Sequence, residues 1–452
     1  MSDGERKKVF SLSYFFDGAS RFLTDCDVFV DDGLLVAVLA RDDRRPESDR
    51  VRKAFAGAER IDESRGFMIP GLINSHHHAY SALARGMPID KPLPDFAARL
   101  ENLWWRLDRA LDNDAVRLSA EVTALECVRH GCTTVIDHHS SPTSIDGSLE
   151  EVSAGFGALN MTRLLCYETS DRNGLEALSA AIDENLAFAK AHADDRAVGA
   201  LFGLHASFTL GAASLGRIAR EKPESLPVHV HVAEDLCDVE HARTEGFDGP
   251  LDRLDRFGLL NAESLVAHGV HLSEREHELA ADRGLTVAHN PESNLNNRVG
   301  YADVDRLRRD RIVLGTDGMS SDMLSSLRGA YLAYSGLGGG GRDLFALCRE
   351  LLFTNPSAYV TRLLGRPVGV LVDGERADFA LFDYAAPTPV TERNLMAHLL
   401  FGLANGAPAR WVYARGKPVV AGGRIIAVDE TAILSAARER AARLWKDFSA
   451  SG

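Results

Sequence analysis

The run "GLINSHHHAY", Gly71 to Tyr80, closes an apolar stretch with His76, His77 and His78. "MIPGLIN" reads as a buried strand entered through Pro70 and Gly71. On a strand alternate side chains share a face, so His76 and His78 point one way and His77 the other. Two imidazoles one pleat apart can grip a single metal ion; a solvated polar strand end is the plainer reading of the same residues. "LPVHVHVAED" repeats the spacing with His229 and His231, and Glu234 follows three residues later. That carboxylate either caps the next helix or swings over a site, where it could carry protons beside a metal-activated water. In "RIVLGTDGMSSD" an apolar strand stops at Asp317, while Asp322 is better placed to cap the helix beyond. One hard oxygen added to three histidine nitrogens makes a set suited to Zn2+ or Fe2+, with a position left for water.

Something must bring these residues together. Through the middle of the chain, short apolar strands ("GCTTVIDHH", "VGALFGLHA", "LPVHVHVAE", "SLVAHGVHL", "LTVAHNP", "RIVLGTDG") alternate with helical patterns such as "NDAVRLSAEVTALECVRH" and "SEREHELAADRG". Strand then helix, repeated, implies a parallel sheet. Its length predicts an α/β (β/α)8 TIM barrel, with a doubly wound open sheet as the alternative. In such a barrel the C-terminal strand ends form one rim, where active sites sit. Polar residues stand at those ends: His76 and His78, His138 and His139, His205, His229 and His231, His268, His289, Asp317. Any one of them alone is most simply a hydrogen-bonded structural residue; their recurrence on six strands points to a shared site. Trp104 and Trp105 either line a lid over a flat heterocycle or anchor a helix, and Tyr80 and Phe96 carry the same two readings.

Both ends of the chain are β-rich. "CDVFVDDGLLVAVLA" turns at Asp32-Gly33, and "RWVYARGKPVVAGGRIIAV" turns at Gly422-Gly423. This predicts a small β-sandwich domain built from residues 1–66 and 366–452, including a C-terminal helix capped by Asp429 or Thr431, around a barrel at 67–365. "GLGGGG", Gly336 to Gly341, lacks a following Lys-Ser/Thr pair and reads as a lid or linker, not as a phosphate cradle.

The 452 residues carry a net charge of −14 with no basic stripe, which disfavours nucleic acid as a partner and favours a small substrate. No window is apolar enough for a membrane span, and the start has no secretory pattern. Six scattered cysteines without a CxxC suit reduced thiols in a cytoplasmic protein.

"PGLINSHHH", "HVHVAED", "LVAHGVHLSE", "AHNPESN" and "LGTDG", in that order, resemble the amidohydrolase superfamily, in the branch of guanine, cytosine and thiomethyladenosine deaminases and triazine chlorohydrolases. "NLWWRLDRALD", "VIDHHSSP", "ETSDRN" and "NNRVGY" are similar to aminohydrolases of the SsnA type. The resemblance covers nearly the whole chain. It implies that His76, His78, His231 and Asp317 ligate one divalent metal ion, zinc first, with iron or manganese as alternatives. It implies that His268 orients and helps deprotonate the metal's water, that Glu234 shuttles protons, and that His205 contacts substrate. Arg85, in the loop after the first strand, falls where the family makes substrate contacts, and Trp105 is expected beside it. The fourth strand, "VGALFGLHA", lacks the lysine that bridges two metals in other members, which argues for one ion. The implied reaction is hydrolytic deamination of a purine, pterin, pyrimidine or triazine by a homo-oligomer. Cyclic-amide opening or chloride displacement on the same scaffold is the alternative. A non-catalytic scaffold would not need ligands, shuttle and water-activating histidine together.

Overall fold

A computed structural model of the protein describes residues 7–337, 341 and 343–450. The chain opens with β1 (Lys7–Phe16), β2 (Phe22–Asp31), β3 (Leu34–Ala40) and β4 (Glu59–Pro70). The β2–β3 hairpin turns at Asp32 and Gly33 with φ of 49° and 77°, the left-handed pair that a two-residue turn requires.

The barrel follows as β5 (Leu72–His77), β6 (Cys132–His139), β7 (Thr162–Tyr167), β8 (Val198–Ala200), β9 (Phe202–Ala206), β10 (Val228–Val232), β11 (Leu265–His268), β12 (Thr286–His289) and β13 (Ile312–Leu314). Pairing is parallel throughout, β5-β6-β7-β8 in one run and β9 to β13 in the other. Leu201 alone separates β8 from β9, so these are two halves of one strand and the barrel has eight. Single bridges, Thr169 to Leu204 and His77 to Asp317, join the two runs and close the ring. The strand missing from the sequence reading is β7, "TRLLCY", a run with neither glycine nor a histidine at its end.

The last strands, β14 (Phe379–Asp383), β15 (Trp411–Ala414), β16 (Lys417–Ala421) and β17 (Arg424–Ile425), join β1 to β4 in one eight-stranded sheet, in the order β17-β16-β15-β14-β4-β1-β2-β3. The sheet folds over itself as a sandwich: Val28 and Leu35 near one edge share a core with Phe379, Leu381 and Tyr413, and Phe10 packs edge-on against Trp411 and Tyr413. The β16–β17 turn sits on Gly422 and Gly423 as the sequence predicts, and Arg415-Gly416 makes a further turn of the same hand.

Two expectations need correction. "MIPGLIN" is not one strand: β4 ends at Pro70 in the sandwich and β5 begins at Leu72 in the barrel. Gly71 is the crossing point, its N–H donating to the carbonyl of Asp378 (3.0 Å) while Leu72 donates to Gly131 (2.9 Å). A Cβ at Gly71 would lie 2.0 Å from Thr133 Oγ1 and 2.2 Å from Asp378 Oδ1, so nothing larger than hydrogen fits between the two sheets. The C-terminal helix, Glu430–Ala450, starts at Asp429, which accepts from the N–H of Ala432 (3.0 Å). It packs on the barrel, against the helix Asn113–Arg129 and the turn Ala79–Ala84. Ala437, Leu444 and Phe448 join the main barrel core, Arg440 pairs with Asp112 (2.8 Å), and Trp445 Nε1 donates to the carbonyl of Leu83 (2.8 Å).

Asp322 caps the helix Met323–Gly336, accepting from Leu324 and Ser325 N–H (3.1 Å each), and Ser273 and Glu276 form a capping box on Glu274–Arg283. Of the glycine loop expected at 336–341, Gly338, Gly339 and Gly340 lie outside the described residues. Among the described residues no helix is long and apolar enough to cross a membrane. Gly71→Ala is expected to cost about 1–3 kcal/mol by overpacking, read as a lowered thermal unfolding midpoint. Gly57→Ala, with nothing within 4 Å of the new Cβ, should stay within about 0.5 kcal/mol.

Candidate metal centre and its pocket

His76 and His78 stand on the end of β5, His231 on β10, and Asp317 three residues past β13. Each ring is held by its outer nitrogen. His78 Nδ1–H donates to the carbonyl of His138 (2.6 Å) and His231 Nδ1–H to the carbonyl of His205 (2.7 Å). A ring whose Nδ1 carries the proton has a bare Nε2. The two Nε2 atoms lie 3.1 Å apart, and Asp317 Oδ1 is 3.1 Å from His78 Nε2. His76 contacts His229 Nε2 through Nδ1 (2.8 Å), and its own Nε2, fully buried, has no hydrogen-bond partner among the described residues and lies 4.0 Å from Asp317 Oδ1.

These separations fit a divalent ion. Ligand bonds of 2.0–2.2 Å in tetrahedral array set neighbouring donor atoms roughly 3.3 Å apart. Burial, followed by the neighbouring histidines, pushes His76 well down and His231 down to about 3, so both rings are neutral, as ligands must be. Burial opposes a charge on His78 too, yet the hydrogen bond and charge of Asp317 outweigh it and bring His78 up to about 9. Burial likewise pushes the Asp317 carboxyl up, and His78, His268 and His231 outweigh it and hold it well below the usual range. The spot between them favours a positive charge.

His268 ends β11 and donates from Nδ1 to Asn294 Oδ1 (2.8 Å). Its bare Nε2 lies 3.7 Å from Asp317 Oδ2 and 3.5 Å from Glu234 Oε2. Glu234 is held through Oε1 by Asn297 Nδ2 (3.1 Å), and burial raises its carboxyl against the pull of His268. The helix after β10 is capped by Asp235, which accepts from Cys237 N–H (3.0 Å), leaving Glu234 to face the site. Asp317 is fixed by Gly318 N–H on Oδ1 (2.7 Å) and Ser293 Oγ on Oδ2 (2.5 Å). Ala233, His268 and Asp317 have φ of 49°, 75° and 56°, left-handed values that non-glycine residues adopt only where the surroundings enforce them.

These groups open into a cavity that communicates with solvent. His78, His231, Asp317 and Glu234 line one side, Phe96, Trp104, Trp105 and Phe208 an aromatic wall, and Asp108, Glu168 and His205 the far side. Trp105 lies 6.2 Å from His205, ring to ring. His205 donates from Nδ1 to Thr209 Oγ1 (3.0 Å), whose hydroxyl is spent on the carbonyl of Ala206 (2.9 Å), so Nε2 is bare here as well.

Arg85 is not brought to the pocket. The 3-10 turn Ala79–Ala84 carries it outward to the face of the helix Asn113–Arg129, where it pairs with Glu126 (2.7 Å) and its side chain is 65% exposed. The sequence reading missed Asp108, Glu168, Ser293, Asn294 and Asn297. Glu168 follows the overlooked strand β7, and the other signal was the polar spacing of "PESNLNN", the helix Pro291–Asn297, which faces Ser293 and Asn297 to Asp317 and Glu234.

Residues 67–419 match the Amidohydrolase family. The chain is 30% identical over 409 residues to a 5-methylthioadenosine/S-adenosylhomocysteine deaminase of Desulforudis audaxviator, covering 87% of this chain and 90% of the relative. Among solved structures it is similar to an adenosine deaminase from Xanthomonas campestris with bound zinc (TM-score 0.82, 24% identity, 97% of this chain and 98% of that one). It is also similar to the atrazine chlorohydrolase of Arthrobacter aurescens TC1 complexed with zinc (TM-score 0.76, 21% identity, 97% and 100%). The match over residues 67–419, together with 30% identity to a relative over 87% of the chain, makes this chain a member of the amidohydrolase family.

Proposed function

We propose that the protein is a one-metal hydrolase that removes an amino group from a small heterocycle. The observation that carries this reading is that His76, His78 and Asp317 converge, with His231 Nε2 3.1 Å from His78 Nε2, beside a largely buried carboxylate, Glu234, that faces His268 and Asp317. His76, His78, His231 and Asp317 would hold the ion, and the N3O donor set suits zinc. When bound, such an ion makes hydroxide available near neutral pH and polarises the group under attack.

The rest is done by the chain itself. His268 Nε2 and Asp317 Oδ2, 3.7 Å apart, flank the attacking position and accept its proton. Glu234 reaches the same space from the other side, 3.5 Å from His268. It delivers a proton to the ring nitrogen next to the carbon under attack, which relieves the negative charge that would build there; it then takes up the proton that His268 and Asp317 accepted and passes it to the departing amine, and the last proton on the attacking oxygen returns to Glu234 as the carbonyl forms. Asn294 and Asn297 hold His268 and Glu234 in those orientations. The aromatic wall suits a flat ring. Identity to a deaminase over most of the chain supports loss of ammonia; likeness to an atrazine chlorohydrolase keeps chloride displacement as the second reading. Within the family we read the chain as an aminohydrolase of the SsnA type, on "NLWWRLDRALD", "VIDHHSSP" and "ETSDRN".

Zinc-loaded protein incubated with amino-substituted purines, pterins, pyrimidines and triazines is expected to release ammonia from at least one. Glu234→Ala should lower that rate by roughly 10²–10⁴-fold with zinc content unchanged; ammonia from none of them, alongside an ultraviolet change, would move the assignment to another leaving group. Metal analysis should find about one zinc per chain, falling severalfold or more in His78→Ala and in Asp317→Ala. Arg85→Ala, remote from the pocket, should leave zinc content and KM within about twofold; a tenfold rise in KM would return Arg85 to the substrate site.

A further inference from the structure

The far wall of the cavity is organised by Glu168, directly after β7. Its carboxylate is 5% exposed and faces two imidazoles and a guanidinium. Arg172 donates to Oε1 from behind the wall, with Trp105 over the guanidinium at 4.8 Å. His205 Nε2 is 4.0 Å from Oε1, and His138 Nδ1 is 3.7 Å from Oε2. Neither nitrogen carries a proton, because each ring spends its N–H elsewhere: His138 Nε2–H on the carbonyl of Leu204 (3.1 Å), His205 Nδ1–H on Thr209 (3.0 Å). Lone pairs thus face a carboxylate that offers only more lone pairs. Beside it Asp108 Oδ1 is buried and has no hydrogen-bond partner among the described residues. A buried acceptor left unsatisfied is costly, and a donor brought by a ligand relieves it.

The charge of the wall points the same way. Asp108, Glu168, Glu234, Asp235, Asp238 and Asp317 line the cavity, and among the described residues no lysine or arginine does. Asp235 and Asp238 are spent on backbone N–H groups of Cys237, and of Ala233 and Phe208. Glu168 and Asp108 share one guanidinium, Arg172, which sits behind them.

We propose that Glu168 determines specificity: with His205 Nε2 it accepts from an amino or ring N–H group of the substrate, so the pocket takes neutral, donor-bearing heterocycles and rejects anionic ones. The proposal rests on the hydrolase reading above and names the class of substrate that reading leaves open. A carboxylate or phosphate placed at Glu168 would meet like charge there, with no lysine or arginine among the lining residues to receive it, a repulsive element built against the wrong ligand.

The test is calorimetric titration of the zinc-loaded full chain with matched probes: adenosine and guanosine against their 5′-phosphates, and pterin against pterin-6-carboxylate. At least one neutral probe should bind, tenfold or more tighter than its anionic partner. Glu168→Gln should weaken that neutral probe roughly tenfold or more and shrink the gap below threefold. Zinc content and thermal midpoint identify a variant that has lost its fold; Glu168→Asp, which keeps the charge with a shorter reach, then carries the comparison. Anionic partners binding as tightly as neutral ones, no neutral probe binding, or a gap untouched by a folded Glu168 variant would each overturn the proposal. So would a second zinc per chain lost in Glu168→Gln, which would make the wall a metal site. Ammonia assays on the same probes separate the two readings. Selective binding without ammonia sinks the deaminase and spares Glu168's role; ammonia without selectivity does the reverse.

Discussion

The site depends on the carbonyl oxygens of the barrel strands. The His78 ring is pinned by the carbonyl of His138, on the neighbouring strand β6, and the His231 ring by the carbonyl of His205, on the neighbouring strand β9. Each bond fixes the proton on Nδ1 and turns the lone pair of Nε2 inward. The parallel register makes this possible: β10 pairs with β9 and β11, so His231 stands level with Ala206 and Ala267, and Val232 with His268. In a fully buried ring, rotation would break that bond with no water to replace it. The centre is therefore set by the sheet before any ion arrives, and an ion adds to an arrangement the backbone already holds.

The rim is bent to suit. At Ala233, His268 and Asp317 the chain leaves its strand through a left-handed residue that is not glycine, at a cost of about 1–3 kcal/mol each. Hydrogen bonds at the same points offset it. Asp317 and Thr316 N–H both donate to the carbonyl of His76 (2.9 and 3.0 Å), Ala233 N–H donates to Asp238 Oδ2 (2.9 Å), and His271 N–H to the carbonyl of Ala233 (2.9 Å). The bond between Asp317 and His76 is also where the first and last barrel strands meet. Closing the barrel and seating the carboxylate are one event, which is why a β-strand ending in "GTDG" can deliver an oxygen across from "HHH".

Much of this was legible in the sequence because its rules are local. Period-two spacing put His76 and His78 on one face, strand–helix alternation gave the barrel, and Gly-Gly and Asp-Gly marked hairpins. What was not legible depends on contacts distant in sequence. Gly71 looks like the middle of a strand until Thr133 and Asp378 are seen on either side of it. The C-terminal helix looks like part of the sandwich because it follows its last strand, yet its apolar face meets the barrel. Arg85 follows the first barrel strand, where substrate contacts are common, and a six-residue turn with Glu126 waiting outside removes it. Glu168 and Asp108 lie 60 residues apart in the chain and become one wall only through Arg172, which pairs with both.

That wall divides labour among the strands. The candidate ligands and the groups that handle protons come from β5, β10, β11 and the loop after β13, while the acceptors around Glu168 come from the ends of β7 and β9 and from the short helix Trp105–Asp108. Hydrolytic chemistry needs the first set to stay within tenths of an ångström, because its lone pairs must converge on one point. The second set has only to match the outline and polarity of whatever lies in the cavity. Arg172 couples Glu168 to Asp108. The two sets meet at the backbone, since the carbonyls of His205 and His138 orient His231 and His78, while the side chains of Glu168 and Asp108 are left to face the cavity.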